Sequence, residues 1–235
     1  MQRIQLEPGW LLNARPYGDT SLLLEAFTVS QGRVGLIAKG GRGPRSKTRG
    51  LLQSLQPLLL SWTQRGELGG LTAVEAAGPA TLLKGERLFY AWYLNELVLK
   101  LLQRHDPHPD SWRAYVETLR RLEGEHAEFA LRVFETRLLA DIGYGLPLPA
   151  EIDASRCYEY DEGRGFVVGS TGCSGRALLA LRDERWEEAA DEAVAADLRR
   201  LMRGLVRRQL GGRELETPRL LREMRGKLSP IQTAE

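Results

Sequence analysis

Cysteine, histidine and long apolar runs are all scarce in this chain of 235 residues, and each scarcity excludes something. The two cysteines, Cys157 and Cys173, form no C-x-x-C pair, and His105, His108 and His126 lie far from both. Structural zinc sites need closely spaced donors on tight turns, so this donor set argues against a bound metal. No apolar run approaches the roughly 20 residues that span a bilayer. The amino terminus, MQRIQLEPGW, lacks a basic head followed by an apolar stretch. The chain therefore reads as cytoplasmic, not membrane-bound, with reduced thiols that are structural or incidental. A G-x-S-x-G motif is missing, and no nucleophile accompanies the histidines. The acidic run Glu187, Glu188, Asp191 and Glu192 has helical spacing that could bind a metal but fits a solvated helix face better. No catalytic residue and no cofactor are assigned, and the chain reads as a binding protein, not an enzyme.

Net charge is also small, +2, but it is unevenly spread. Residues 1–80 hold nine Lys/Arg against five Asp/Glu, residues 81–195 fourteen against twenty-one, and residues 196–235 ten against five. Two basic ends around an acidic middle point to a localised anionic partner.

What is present divides by period. Up to residue 78, short runs alternate apolar and polar residues between turn signals such as Gln31-Gly32 and Arg65-Gly66. Five strands are predicted, in GWLLNARPYG, TSLLLEAFTV, RVGLIAKG, LQPLLLSWTQ and LGGLTAVEA. Five short strands with one long connection suit a small barrel of the oligonucleotide-binding (OB-fold) type, or an SH3-like barrel. After Gly78-Pro79 the period becomes helical. One helix is predicted in LKGERLFYAWYLNELVLKLLQR, with Leu88, Trp92, Leu97 and Leu101 buried. A second runs from Ser111 to Gly124, and a third ends at Gly143. Residues 145–172 break the pattern and hold a hairpin turning at 161–165. Helical periodicity then runs from Ser174 to Leu210, and a last helix has Thr217 as its cap and Pro218 at its first position. The predicted class is α+β: an OB-fold nucleic-acid-binding domain over 1–79, then a helical domain over 80–235 with 145–172 as a small insertion.

One segment carries chemistry. Residues 38–50, AKGGRGPRSKTRG, hold five positive charges, four glycines and no acid. From Gly41 the run is close to the phosphate-cradling loop of nucleotide hydrolases. Yet Ser46 replaces the second glycine, Pro44 removes an amide, and Arg49-Gly50 opens a helix poorly. A flexible loop following successive phosphates of a nucleic acid fits better. Lys39, Arg42, Arg45, Lys47 and Arg49 are its candidate contacts, and Trp10, Tyr17, Phe27 and Trp62 are nearby aromatics that could stack on bases or fill the core. A second basic track is Arg199, Arg203 and Arg207, with Arg200 and Arg208 beside them.

The segments YGDTSLLLEAFT, GRVGLIAKGGRGPRSKTRG, LQPLLLSW, GELGGLTAVE, YLNELVLKLL, LRVFETRLLADIGYG and GFVVG, in that order, resemble the RecO recombination mediators of bacterial DNA repair. The resemblance implies an amino-terminal oligonucleotide-binding barrel, a helical domain and no turnover. It also implies binding of single- and double-stranded DNA, annealing of complementary strands, and a nucleoid-associated address. Implied partners are the RecR protein, the acidic tail of the single-strand-binding protein and, indirectly, RecA. The tail would enter a pocket in the helical domain, where the LRVFE match points to Arg132; Arg207 is added on spacing alone. Many members carry a four-cysteine zinc module after the GYG segment, which this chain replaces with a zinc-free hairpin. Phosphate gripping alone leaves two other readings, an RNA-binding or ribosome-associated barrel protein and a protein-interaction adaptor.

Overall fold

The computed structural model describes residues 1–44, 46 and 48–228, with the side chains of 227 and 228 excepted. Five strands come first: β1 (Gln2–Tyr17), β2 (Ser21–Thr28), β3 (Gly32–Ala38), β4 (Pro57–Arg65) and β5 (Leu68–Ala76). They close in the order β1-β2-β3-β5-β4, an OB-like arrangement sealed by parallel pairing of β3 with β5. Strand β1 makes closure possible because it serves two neighbours. Its first part pairs with β4, its second with β2, and register shifts after Ile4 and Leu11 let it bend. The sequence reading began this strand only at Gly9. The preceding residues are mostly exposed and show no inward alternation, so pairing with β4 creates a strand that periodicity cannot reveal.

Barrel residues alternate between two cores. Leu11, Leu24, Leu36, Leu60 and Trp62 fill the barrel interior. Their neighbours Trp10, Leu12 and Phe27 face outward and join the core of the helices. Phe27 meets Trp112 and Tyr115 edge-on, with ring centroids 5.3 and 5.7 Å apart. Such pairs add about 0.5–1.5 kcal/mol beyond the burial itself.

Helices follow: α1 (Glu86–Leu101), α2 (Pro109–Arg121) and α3 (Ala127–Asp141). α1 is central, with Leu94, Leu97 and Val98 fully buried, but Trp92 is exposed and packs on Phe89 at its edge. α2 starts at Pro109, ahead of the predicted Ser111. Ser111 is buried and gives its hydroxyl to Asp141 of α3 (2.5 Å), so it ties two helices together. α3 ends before Gly143, whose φ of 87° only glycine adopts freely.

A three-stranded sheet, β6 (Cys157–Asp161), β7 (Gly165–Gly169) and β8 (Cys173–Ser174), holds the predicted hairpin in the order β7-β6-β8. Cys157 pairs with Ser174 and Tyr158 with Cys173, which puts the two thiols on opposite faces; both are free. The helical run predicted from Ser174 to Leu210 is broken. It becomes α4 (Gly175–Arg182), a 3-10 turn at Trp186–Ala190, and α5 (Glu192–Gln209). The break occurs where Trp186 inserts against Phe129, 5.0 Å between ring centroids, with the Arg121 guanidinium 4.0 Å above its ring. α6 (Glu216–Leu228) closes the described chain. Its first amides, those of Glu216 and Thr217, donate to the Glu96 carboxylate of α1 at 2.8 and 2.9 Å. The cap is therefore Glu96, not Thr217. Among the described residues no helix is long and apolar enough to cross a membrane.

Candidate nucleic-acid interface and partner pocket

The basic connection leaves β3 at the barrel rim and reaches β4, and its described residues form turns and bends with no helix among them. Its start is fastened to the β1–β2 turn. The Arg42 amide donates to the Thr20 carbonyl (2.8 Å) and its guanidinium to the Gly18 carbonyl (3.4 Å). Successive tight turns consume the amides: Gly41 donates to Ala38, Gly43 to Gly40 and Ser46 to Gly43. A triphosphate cradle needs free amides converging on one point at a helix start, and among the described residues of the connection neither feature occurs. Leu52 and Leu55 are buried and anchor the far end. Lys39, Arg42 and Arg49 are exposed, and among the described residues none has a carboxylate partner. Arg45 and Lys47 lie outside the described residues. Of the four aromatics, Trp10, Phe27 and Trp62 are buried and serve the cores, whereas Tyr17 is 46% exposed.

The second site is a cavity of about 310 Å³ among α1, α3, α5 and α6. It brings together Arg132 and Arg207, the two residues proposed for a partner peptide, and adds Arg199, Arg203, Arg213, Arg222 and Arg225. Phe89, Leu131, Val206 and Leu210 give it an apolar wall.

These arginines are not equivalent. Arg132 is buried and pairs with Glu135 at 3.1 Å, and Glu135 also accepts the Tyr93 hydroxyl. Burial opposes charge on both partners. It raises the Glu135 pKa despite the adjacent cation, while for Arg132 the fields of Glu135, Tyr93 and Glu128 outweigh burial and keep the guanidinium charged. Arg199 is held by Glu128 (2.6 and 3.1 Å), Arg225 by Glu86 (2.5 and 2.6 Å) and Arg222 by Glu214. Among the described residues the Arg207 guanidinium donates its one hydrogen bond to the Gly212 carbonyl, at 3.4 Å. Among the described residues Arg203, Arg207 and Arg213 form no ion pair with a carboxylate, so they carry the least committed charge of the cavity, although the field of Arg207 reaches Glu214. Helical spacing had already aligned Arg199, Arg203 and Arg207. Arg213 was missed because it follows Gly211-Gly212 outside any helix, where no periodicity marks it. Arg200 and Arg208 turn elsewhere: Arg200 to Asp197, and Arg208 to Glu162 with its guanidinium over the Tyr160 ring.

Other clusters are structural. Glu188 and Asp191 clamp Arg176 at 2.5 and 2.6 Å, and Asp191 caps α5. His108 meets Asp141 at 3.1 Å. Among the described residues no group of His, Cys, Asp or Glu is arranged to hold a metal ion.

Comparison with known proteins gives one answer along nearly the whole chain. The family model described as "Recombination protein O N terminal" matches residues 1–80, and "Recombination protein O C terminal" matches residues 82–218. A protein of Methylococcus capsulatus named "DNA repair protein RecO" is 42% identical over 94% of this chain and 94% of its own length. Relatives of the same name from Nitrosococcus oceani (42% identical, 95% of each chain) and Coxiella burnetii strain RSA 493 (39%, 94% of this chain and 99% of that protein) agree. The barrel with its basic connection, the helices behind it and these matches place the chain in the RecO family of DNA repair proteins.

Proposed function

We propose that the chain is a non-catalytic recombination mediator that holds DNA at the barrel rim and a partner peptide in the arginine-lined cavity. The observation that carries the reading is the β3–β4 connection, where Lys39, Arg42 and Arg49 stand exposed on a backbone fastened to the neighbouring turn. In this reading residues 1–79 form the nucleic-acid-binding unit, and Arg45 and Lys47 extend the same basic track. Residues 80–235 form the partner-binding unit, with 145–172 as its insertion.

The mechanism is charge neutralisation. Cations on one loop displace counterions from phosphates and screen two backbones from each other while bases find their complements. Single and double strands both present that backbone, so both bind. The cavity takes the acidic, aromatic-ended tail of the single-strand-binding protein: Arg203, Arg207 and Arg213 meet its carboxylates, and the wall of Phe89, Leu131 and Val206 seats its ring. Holding DNA and tail together, with RecR as a further partner, places the protein where RecA replaces the single-strand-binding protein.

Annealing of complementary oligonucleotides tests the reading. It proceeds without nucleotide and in excess chelator, and it fades as salt rises. Annealing that requires a nucleotide or a divalent ion would sink it.

A further inference from the structure

We infer that Tyr17 is a base-stacking platform that makes the barrel rim favour unpaired nucleotides over duplex. The inference rests on the reading that the β3–β4 connection meets DNA.

Residues 1–80 contain four aromatics. Three are 8% exposed or less, and each belongs to a core; Tyr17 alone is 46% exposed. It is the last residue of β1, opposite the small Ser21, at the start of the turn that leads into β2. Among the described residues no ring or cation packs on its face, and its hydroxyl has no hydrogen-bond partner. The same turn receives both Arg42 hydrogen bonds, at Gly18 and Thr20. The main-chain bond fixes where the loop begins, and the side-chain bond holds a guanidinium beside the residue next to Tyr17. Arg15, exposed and two positions earlier on the strand, shares a face with Tyr17. Asp19 is the one acid in the turn, and it forms no ion pair among the described residues.

A cation and an open aromatic face side by side match one repeating unit of a single strand, a phosphate and its base. In a duplex the base faces are covered by their neighbours, and only base edges and the sugar-phosphate backbone remain accessible. Lys39, Arg42 and Arg49 therefore serve both forms of DNA, while the Tyr17 ring has something to stack on only in the unpaired form. The hydroxyl is dispensable, because stacking uses the ring.

Fluorescence anisotropy with an oligothymidine and with a hairpin duplex, at one fixed salt concentration, separates the two contributions. Tyr17→Ala should lose about 5- to 100-fold in affinity for the single strand and less than twofold for the duplex, and Tyr17→Phe should restore the wild-type value. Thermal melting of each variant reports whether the fold is kept. Equal losses on both DNAs, or no loss on either, with wild-type melting, would overturn the assignment. Wild-type protein that binds neither DNA at low salt would instead overturn the underlying reading, so the two failures are distinguishable.

Discussion

Arg132 and Arg203 line one cavity and do different work there. Arg132 is enclosed with Glu135 and Tyr93, so its charge balances a buried carboxylate. Removing it strands that carboxylate, and losses of about 3–5 kcal/mol are typical of such a break. Arg132→Ala should therefore destabilise the fold by that order in denaturant titrations at neutral pH. Burial raises the Glu135 pKa, so the ionised form weakens the fold as pH rises through that value; the deficit of Arg132→Ala should shrink in acid, where Glu135 takes up a proton. Arg203→Ala and Arg213→Ala should keep wild-type stability and weaken an acidic peptide. The opposite pattern would make Arg132 the peptide contact after all. The sequence exposed the basic loop as a charge run, and Lys39, Arg42 and Arg49 are indeed on the surface. It could not rank the cavity arginines, because which guanidinium already has a carboxylate is settled by residues distant in sequence, such as Glu86 for Arg225.

Elements of the cavity differ in how firmly they are attached. α6 supplies Thr217, Pro218, Leu221, Arg222 and Arg225 to the wall, and its polar links to α1 are the half-buried Glu96 cap and the exposed Glu86–Arg225 pair. The Arg225 hydrogen bond holds the Glu86 carboxyl below its ordinary pKa of 4.5. A depressed carboxylate adds stability above the ordinary value, and loses it as pH falls through the lowered one. The melting-temperature gap between wild type and Glu86→Gln should thus be widest at neutral pH and close in acid. The pair is solvent-exposed, so the gap corresponds to about 1 kcal/mol or less. A gap that grows in acid would contradict the pairing. Most elements were legible from period and turn residues, β5 and the β6–β7 hairpin among them. The failures share a cause. The early part of β1, the cap of α6 and the break before α5 are each decided by a partner elsewhere in the chain, respectively β4, Glu96 and Phe129.

Across the whole molecule, barrel and helices share a core and a polar brace. Trp10, Leu12 and Phe27 lie in the helical core, and the Arg33 guanidinium donates to the Leu99 carbonyl of α1 at 2.7 Å. Arg104, just past α1, pairs with Glu25 of β2, and the His105 amide donates to the Arg33 carbonyl at 2.9 Å. Gly32 is required at this seam: its φ is 63°, and a Cβ there would stand 2.0 Å from the Asp106 carbonyl oxygen. The rim that would meet DNA is thereby fixed to the helices that would meet a protein partner, which suits a mediator working on both at once. In the sequence, GWLLNARPYG is legible only as a barrel strand, since alternation does not say what covers each of its two faces. The central claim is that the β3–β4 connection contacts DNA phosphates, and the most direct test is the salt dependence of single-stranded DNA binding. Each phosphate contact on a single strand contributes a slope of about 0.7 in log affinity against log salt. Replacing Lys39, Arg42 and Arg49 together by alanine should lower the magnitude of that slope by about 2. An unchanged slope and affinity in a variant that melts like wild type would contradict the account.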